Sequence, residues 1–234
     1  ATNGGSWDTI GRVHSYREYP ETGGLWRSRG TPNISISMSS SNVVTINISR
    51  NYSFTPSGGN APLDMSFDQE QRLTANDIVN HANESDLADF IYGFGEDRMS
   101  RRIARAIVSR RPLQTTGQLA SAVSSALGSR RRSGTHPATR TFQAIRIVVN
   151  REIENIKAGL ESAIKILKPG GRLVVISYHS IEDRLVKRKF LGESSKSEMA
   201  MVKLVNRKVI KPSRQEVLLN PRSRSAKMRV VERI

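Results

Sequence analysis

Apolar residues recur at two different periods along this chain, and the change of period marks where its elements begin and end. Phe142, Ile145, Val149, Ile153, Ile156, Leu160, Ile164 and Leu167 stand mostly three or four apart, so they line one stripe. That spacing predicts one long helix over 138–167, with the stripe packed on a sheet. Pro169, Gly170 and Gly171 end it, because neither residue type continues a helix cheaply. Leu173-Val174-Val175-Ile176 follows as an unbroken apolar run rich in β-branched residues, the pattern of a buried strand in a parallel sheet. A basic helix is predicted over 184–190, a loop over 192–199 and a last strand over 228–231.

Upstream the period is helical throughout. Thr74 has the side chain of an N-cap and is followed by Asp77 in the first turn. Leu87, Phe90 and Ile91, then Ile103, Ala104, Ile107 and Val108, keep helical spacing. Pro112 and the turn Thr115-Thr116-Gly117 lead into a helix over 118–127, and the basic Gly128-Ser129-Arg130-Arg131-Arg132-Ser133-Gly134 reads as a flexible loop. No strand pattern interrupts this block, so it is expected to be a compact helical subdomain inserted into an α/β fold. Residues 1–60 are rich in Gly, Ser, Asn and Thr with short apolar pieces such as Val43-Val44, which predicts short strands and loops.

Charge changes the picture more than composition does. Lys and Arg number 37 against 21 Asp and Glu, for a net charge of +16. The excess is clustered, with ten basic residues against Glu216 and Glu232 over 201–234. This is the electrostatic footprint of a polyanion binder. With no cysteine, disulfides, a thiolate nucleophile and Cys-ligated zinc are excluded. The four histidines (His14, His81, His136 and His179) are scattered, so no metal site is expected. No apolar run approaches a membrane span and no signal-peptide core precedes the fold, so a cytoplasmic location is expected. The first residue is Ala, which fits a fragment or a processed product.

Candidate chemistry concentrates just after the buried strand, in Ser177-Tyr178-His179-Ser180-Ile181-Glu182-Asp183-Arg184. Ligands of open α/β sheets bind at the carboxyl ends of strands, which makes His179 and Asp183 site candidates. The same acids suit the first turn of a helix, with Ser180 as its expected N-cap. Arg140, Arg146, Asn150 and Glu152 are polar positions on or beside the apolar helix. Arg98, Arg101, Arg102 and Arg105 follow Tyr92-Gly93-Phe94-Gly95-Glu96-Asp97. Asn220-Pro221-Arg222-Ser223-Arg224-Ser225-Ala226-Lys227-Met228-Arg229 combines basic, Ser and Asn side chains suited to phosphate and ribose.

Taken with Ala61-Pro62-Leu63-Asp64-Met65 and His136-Pro137-Ala138-Thr139-Arg140-Thr141-Phe142-Gln143-Ala144-Ile145-Arg146, these segments resemble, in family order, the 16S rRNA (cytosine-N4) methyltransferases. The resemblance implies a Rossmann-like class I methyltransferase core, incomplete at its N-terminus, with an inserted all-helical subdomain. Residues 1–67 would be a partial cofactor side, 68–135 the helical substrate-recognition part, and 136–234 the rest of the core. It also implies S-adenosyl-L-methionine as cofactor, methylation of a cytosine amine in small-subunit rRNA, and the rRNA or small ribosomal subunit as partner. A homodimer is compatible with it, and neither a membrane nor a metal is called for. The resemblance assigns His179, Asp183, Asn150 and Asp64 to the base pocket and Arg140, Arg146, Arg184, Arg222 and Arg224 to RNA phosphates. Tyr16, Ser37 and Val43 fall to the cofactor side. There the chain departs from the family pattern: no acidic Gly-rich loop is present, and the family's Asp-Leu-Gly-x-Ser-Ser segment stands as Ile34-Ser35-Ile36-Ser37-Met38-Ser39-Ser40-Ser41-Asn42, without its Asp. That departure opens a second expectation, a non-catalytic RNA- or ribosome-binding remnant or fragment.

Overall fold

The computed structural model of the protein describes residues 33–38, 43–49, 61–68, 71–128, 136–194 and 200–234, the first two segments by their backbone. Tyr16 and the basic run 129–135 lie outside the described residues. In chain order the elements are β1 (Asn33–Met38), β2 (Val43–Ser49), α1 (Ala75–His81), α2 (Glu84–Gly95), α3 (Ser100–Val108), α4 (Thr116–Leu127), α5 (Thr139–Val149), α6 (Glu152–Ile166), β3 (Arg172–Ser177), α7 (Ser180–Glu193), β4 (Val202–Leu204), α8 (Arg214–Leu219) and β5 (Lys227–Arg233). A 3-10 turn, Pro221–Ser225, joins α8 to β5.

The strands form one mixed sheet in the order β1-β2-β3-β5-β4. The predicted strand over 173–176 is β3, and its parallel neighbour β2 lies on one side only. On the other side β5 runs antiparallel, with Ser177 opposite Lys227 and Arg172 opposite Glu232. The apolar run overstated the burial of one face. Leu173 and Val175 are buried, whereas Val174 and Ile176 are half-buried, so the strand alternates. Glu232 fastens three strands along one rank, 2.9 Å from Arg172 on β3 and 2.7 Å from Lys203 on β4.

The helix predicted over 138–167 is two helices. Its stripe continues through the break, but the two halves serve different cores. Phe142, Ile145 and Val149 pack with Leu87, Ile91, Ile103, Ile107 and Leu119 of α2, α3 and α4. Ile156, Leu160 and Ile164 pack with Leu173 and Val175 of β3 and with Val186 and Phe190 of α7. The corner falls at Asn150 and Arg151, where Arg151 takes left-handed φ 49 and ψ 39. Periodicity could not show this, because both helices keep apolar residues in phase across it. Between the two cores a small cluster joins Ile147 and Ile153, on either side of the corner, to Ile181 in the first turn of α7.

The helical core therefore runs from Leu63 to Val149, with a capping box at each of two helix starts. Thr74 accepts from the Asp77 amide while Asp77 accepts from the Thr74 amide, and Thr115 with Gln118 does the same at α4, which starts at Thr116 rather than 118. Among the described residues no helix is long and apolar enough to cross a membrane.

Leu173 is fully buried where β3 meets α6 and α7. Leu173→Ala is expected to cost about 2–5 kcal/mol of stability, read as a lower urea midpoint at unchanged slope.

Candidate active site

At the carboxyl end of β3 the chain passes Ser177 and Tyr178 and turns into α7. The N-cap of that helix is His179, not the expected Ser180. Its Nδ1 accepts from the Glu182 amide at 3.3 Å, and Glu182 Oε2 accepts from the amides of His179 and Tyr178 at 3.4 and 3.0 Å. An imidazole nitrogen thus does what a Ser hydroxyl was expected to do. Glu182 is fully buried, and its Oε1 lies 3.2 Å from His179 Nε2. A carboxylate in this position orients the imidazole from beneath. Burial pushes the Tyr178 phenol up, reinforced by the charges of Glu182 and Glu216.

Asp183, one residue on, is held by the guanidinium of Arg229 on β5 in a two-bond fork. Nε meets Oδ1 at 2.7 Å and an Nη meets Oδ2 at 3.2 Å, with Lys227 Nζ 3.8 Å away. Arg229 is thereby mostly buried against the site end of the sheet. Its place in the basic C-terminal run suggested a phosphate contact; in the fold it is the counter-charge of Asp183.

Asn150 uses its whole carboxamide. Oδ1 accepts from the Phe67 amide at 2.8 Å, and Nδ2 donates to the carbonyls of Met65 and Arg146, each at 2.8 Å. It therefore closes the last turn of α5 and clamps the 63–67 loop across the corner. Asp64 lies on this clamped loop, exposed, and accepts from the Ser66 amide at 3.0 Å and from the Ser66 hydroxyl. The clamp holds Met65 at φ 58, a left-handed value that a non-glycine residue keeps only when its surroundings enforce it.

Glu96 is the residue that sequence reasoning passed over. It caps α2 in the left-handed conformation, φ 51 and ψ 36. Its Oε2 accepts from the Ser180 hydroxyl at 2.5 Å, its Oε1 is paired with Arg184, and its carbonyl accepts from Arg140 Nη1 at 2.6 Å. One residue thus ties α2, α5 and α7 together. Gly95 makes the approach feasible, since a Cβ there would lie 2.8 Å from the Arg140 carbonyl oxygen. The signal in the sequence is the pair Gly95-Glu96 at a helix end, ahead of a run of arginines.

Of the arginines predicted for RNA, Arg140 and Arg184 meet at Glu96, and Arg146 pairs with the buried Glu152 at 2.9 Å. Arg222 and Arg224 are exposed on the 3-10 turn. The structure therefore links the turn of His179 and Asp183 to the Asn150 corner through Ile181, Ile147 and Ile153, and to the Glu96 group through Ser180 and Arg184. It does not bring Ser37 or Val43 to them. Val43 is opposite Arg172, at the amino end of β3, and Ser37 is opposite Thr45 on the neighbouring strand. His179 follows the other end of β3.

A sequence model of the MraW methylase family matches residues 37–234. The chain belongs to that family. Relatives include proteins named ribosomal RNA small subunit methyltransferase H. The one from Dehalococcoides mccartyi is 50% identical over 186 residues, covering 74% of this chain and 53% of the relative. That from Cyanothece is 51% identical over 185 residues, covering 79% and 60%, and that from Acaryochloris marina 52% over 178 residues, covering 74% and 57%. The chain thus spans little more than half the length of these family members.

The hydrogen bond from Ser180, then the Arg184 guanidinium, hold the Glu96 carboxyl below its ordinary value of 4.5. A depressed folded value means stabilisation that is complete above the unfolded value and lost as pH falls through the folded one. In urea titrations, Glu96→Gln is expected to lower stability at neutral pH, and its deficit against the wild type to shrink between about pH 5 and pH 3. A pH-independent deficit would show that the charge is not what joins the helices.

Proposed function

We propose that this chain serves S-adenosyl-L-methionine-dependent N4-methylation of a cytosine in small-subunit rRNA. It would do so as a Rossmann-like class I methyltransferase core with a helical subdomain, expected over 68–135, inserted between 1–67 and 136–234. The observation that carries the reading is the polar turn of His179, Glu182 and Asp183 at the carboxyl end of β3, packed through Ile181 on the residues that flank the Asn150 corner, in a chain of this family. The names of the relatives supply the substrate class. The rRNA or small subunit is the partner, the cytoplasm the compartment, and a homodimer is compatible with it.

The chemistry asks for a base taken out of its stack and an amine whose lone pair is recovered from the ring. The cofactor supplies an electrophilic methyl group. Val43 and, through Thr45, Ser37 register with the amino half of β3, away from the end that His179 follows. The chain's own residues hold and orient the base. Asp64, on the clamped loop, is the acceptor for the amine protons, the work of a general base, while His179, whose two ring nitrogens both meet Glu182, orients the base. Asn150 is a positioning residue, since its carboxamide is committed to the clamp. Arg140, Arg146 and Arg184 stiffen the wall, and Arg222 and Arg224 meet phosphates.

One observation favours a second reading, a non-catalytic RNA-binding role. Asp183, one of the four base-pocket candidates, has both oxygens engaged by Arg229. The two readings separate on the purified chain. Calorimetric titration with S-adenosylmethionine and methyl transfer to small subunits are both expected to be positive, with His179→Ala or Asp64→Ala lowering the rate constant by about 10²–10⁴-fold. RNA binding without cofactor binding or transfer would select the second reading. Asp183→Ala is expected to lower stability as well as rate, because it leaves Arg229 buried without its counter-charge.

A further inference from the structure

The segment 211–227 leaves the sheet and returns to it as a closed excursion. Its ends are stitched by two hydrogen bonds, Ile210 amide to Met228 carbonyl at 3.0 Å and Met228 amide to Ile210 carbonyl at 2.9 Å. Inside it, Ser213 caps α8 by accepting from the Glu216 amide at 3.1 Å. Asn220 then turns the chain, its carbonyl accepting from the Ser223 amide and hydroxyl at 2.9 and 2.8 Å. Ser223 is buried and anchors the turn. The excursion is therefore closed at its neck and turned within by its own hydrogen bonds, which makes it a compact projection.

Its position follows from the sheet register. Lys227, where it rejoins β5, is opposite Ser177, the last residue of β3, so it stands at the end of the sheet from which Tyr178 and His179 emerge. Glu216 on α8 is near enough to Tyr178 for its charge to act on the phenol.

What the excursion carries is unusual for a projection. Leu218 and Leu219 are 74% and 82% exposed, the two most exposed large apolar residues among those described, and α8 buries none of its residues. Around them Lys211, Arg214, Arg222 and Arg224 are exposed, against the single acid Glu216. Two leucines present too little apolar area for a stable protein interface, and the surrounding charge selects a polyanion.

We propose that the 211–227 excursion is an RNA wedge: Leu218 and Leu219 enter a base step beside the target nucleotide while Arg222 and Arg224 hold the flanking phosphates. Apolar side chains inserted between bases unstack them, which is what presentation of a single cytosine to His179 requires. The proposal rests on the RNA reading above and adds the device that opens the stack.

The test uses the full chain and a short RNA hairpin carrying 2-aminopurine, whose fluorescence rises on unstacking, next to an unpaired cytosine. With Leu218→Ala/Leu219→Ala, the fluorescence gain at saturation is expected to fall by more than about half, with the salt dependence of binding unchanged. Arg222→Ala/Arg224→Ala should instead weaken binding and flatten its salt dependence. An undiminished fluorescence gain in the leucine variant would overturn the wedge while leaving RNA binding intact. So would a leucine variant that changes only self-association in sedimentation, since the patch would then be an interface between copies. Absence of hairpin binding by the wild type would instead remove the RNA reading, and the wedge with it.

Discussion

The carboxamide of Asn150 is the constraint on which the arrangement turns. A helix running straight on from α5 would carry Ile156, Leu160 and Ile164 away from the sheet they cover. Asn150 closes the last turn of α5 on the Arg146 carbonyl, and Arg151 reverses the backbone into the left-handed region. The cost of that conformation is offset because Asn150 also satisfies the Phe67 amide and the Met65 carbonyl. Gln71 adds a further tie, donating to the Val149 carbonyl at 2.9 Å. One side chain thus marks the corner between two cores and ties to it the distant loop that carries Asp64.

Around this corner the charged groups divide into those that build the site and those that face outward. Arg229 on Asp183, Glu152 on Arg146 and Glu96 with Arg184 are internal pairs, the first two largely buried. Breaking one member of such a pair is costly because the other is left without its counter-charge, even where the intact pair contributes little net stability. Three non-glycine residues with positive φ, Met65, Glu96 and Arg151, lie on this same framework. Backbone strain gathered beside candidate chemistry is what a preorganised site requires.

The buried strand, the first helix start and the location of the chemistry could be read from local pattern. Leu173-Val174-Val175-Ile176 had to be a strand, Pro169-Gly170-Gly171 had to end a helix, and Thr74 was a cap, because each depends on bonds among residues a few positions apart, whereas Thr115, read as part of a turn, caps α4. The polar turn after the strand was legible for the same reason, although the cap atom proved to be an imidazole nitrogen. The break at Asn150 was not, since its cause is a loop more than eighty positions upstream.

The sequence by itself determined the helical block, the buried strand, the basic character and, through ordered motifs over most of the chain, membership of the family. Periodicity, capping and charge are properties of neighbours along the chain, and they survive without any knowledge of the fold. Only the tertiary structure decided which arginines face solvent and which are spent on carboxylates, since Arg140, Arg184 and Arg229 look no different in sequence from Arg222 and Arg224. It alone separated one apolar stripe into two cores and set Leu218 and Leu219 at the end of the sheet that carries His179. Those outcomes depend on which distant surfaces meet, and a charge or a leucine has the same local pattern whether or not a partner arrives to bury it.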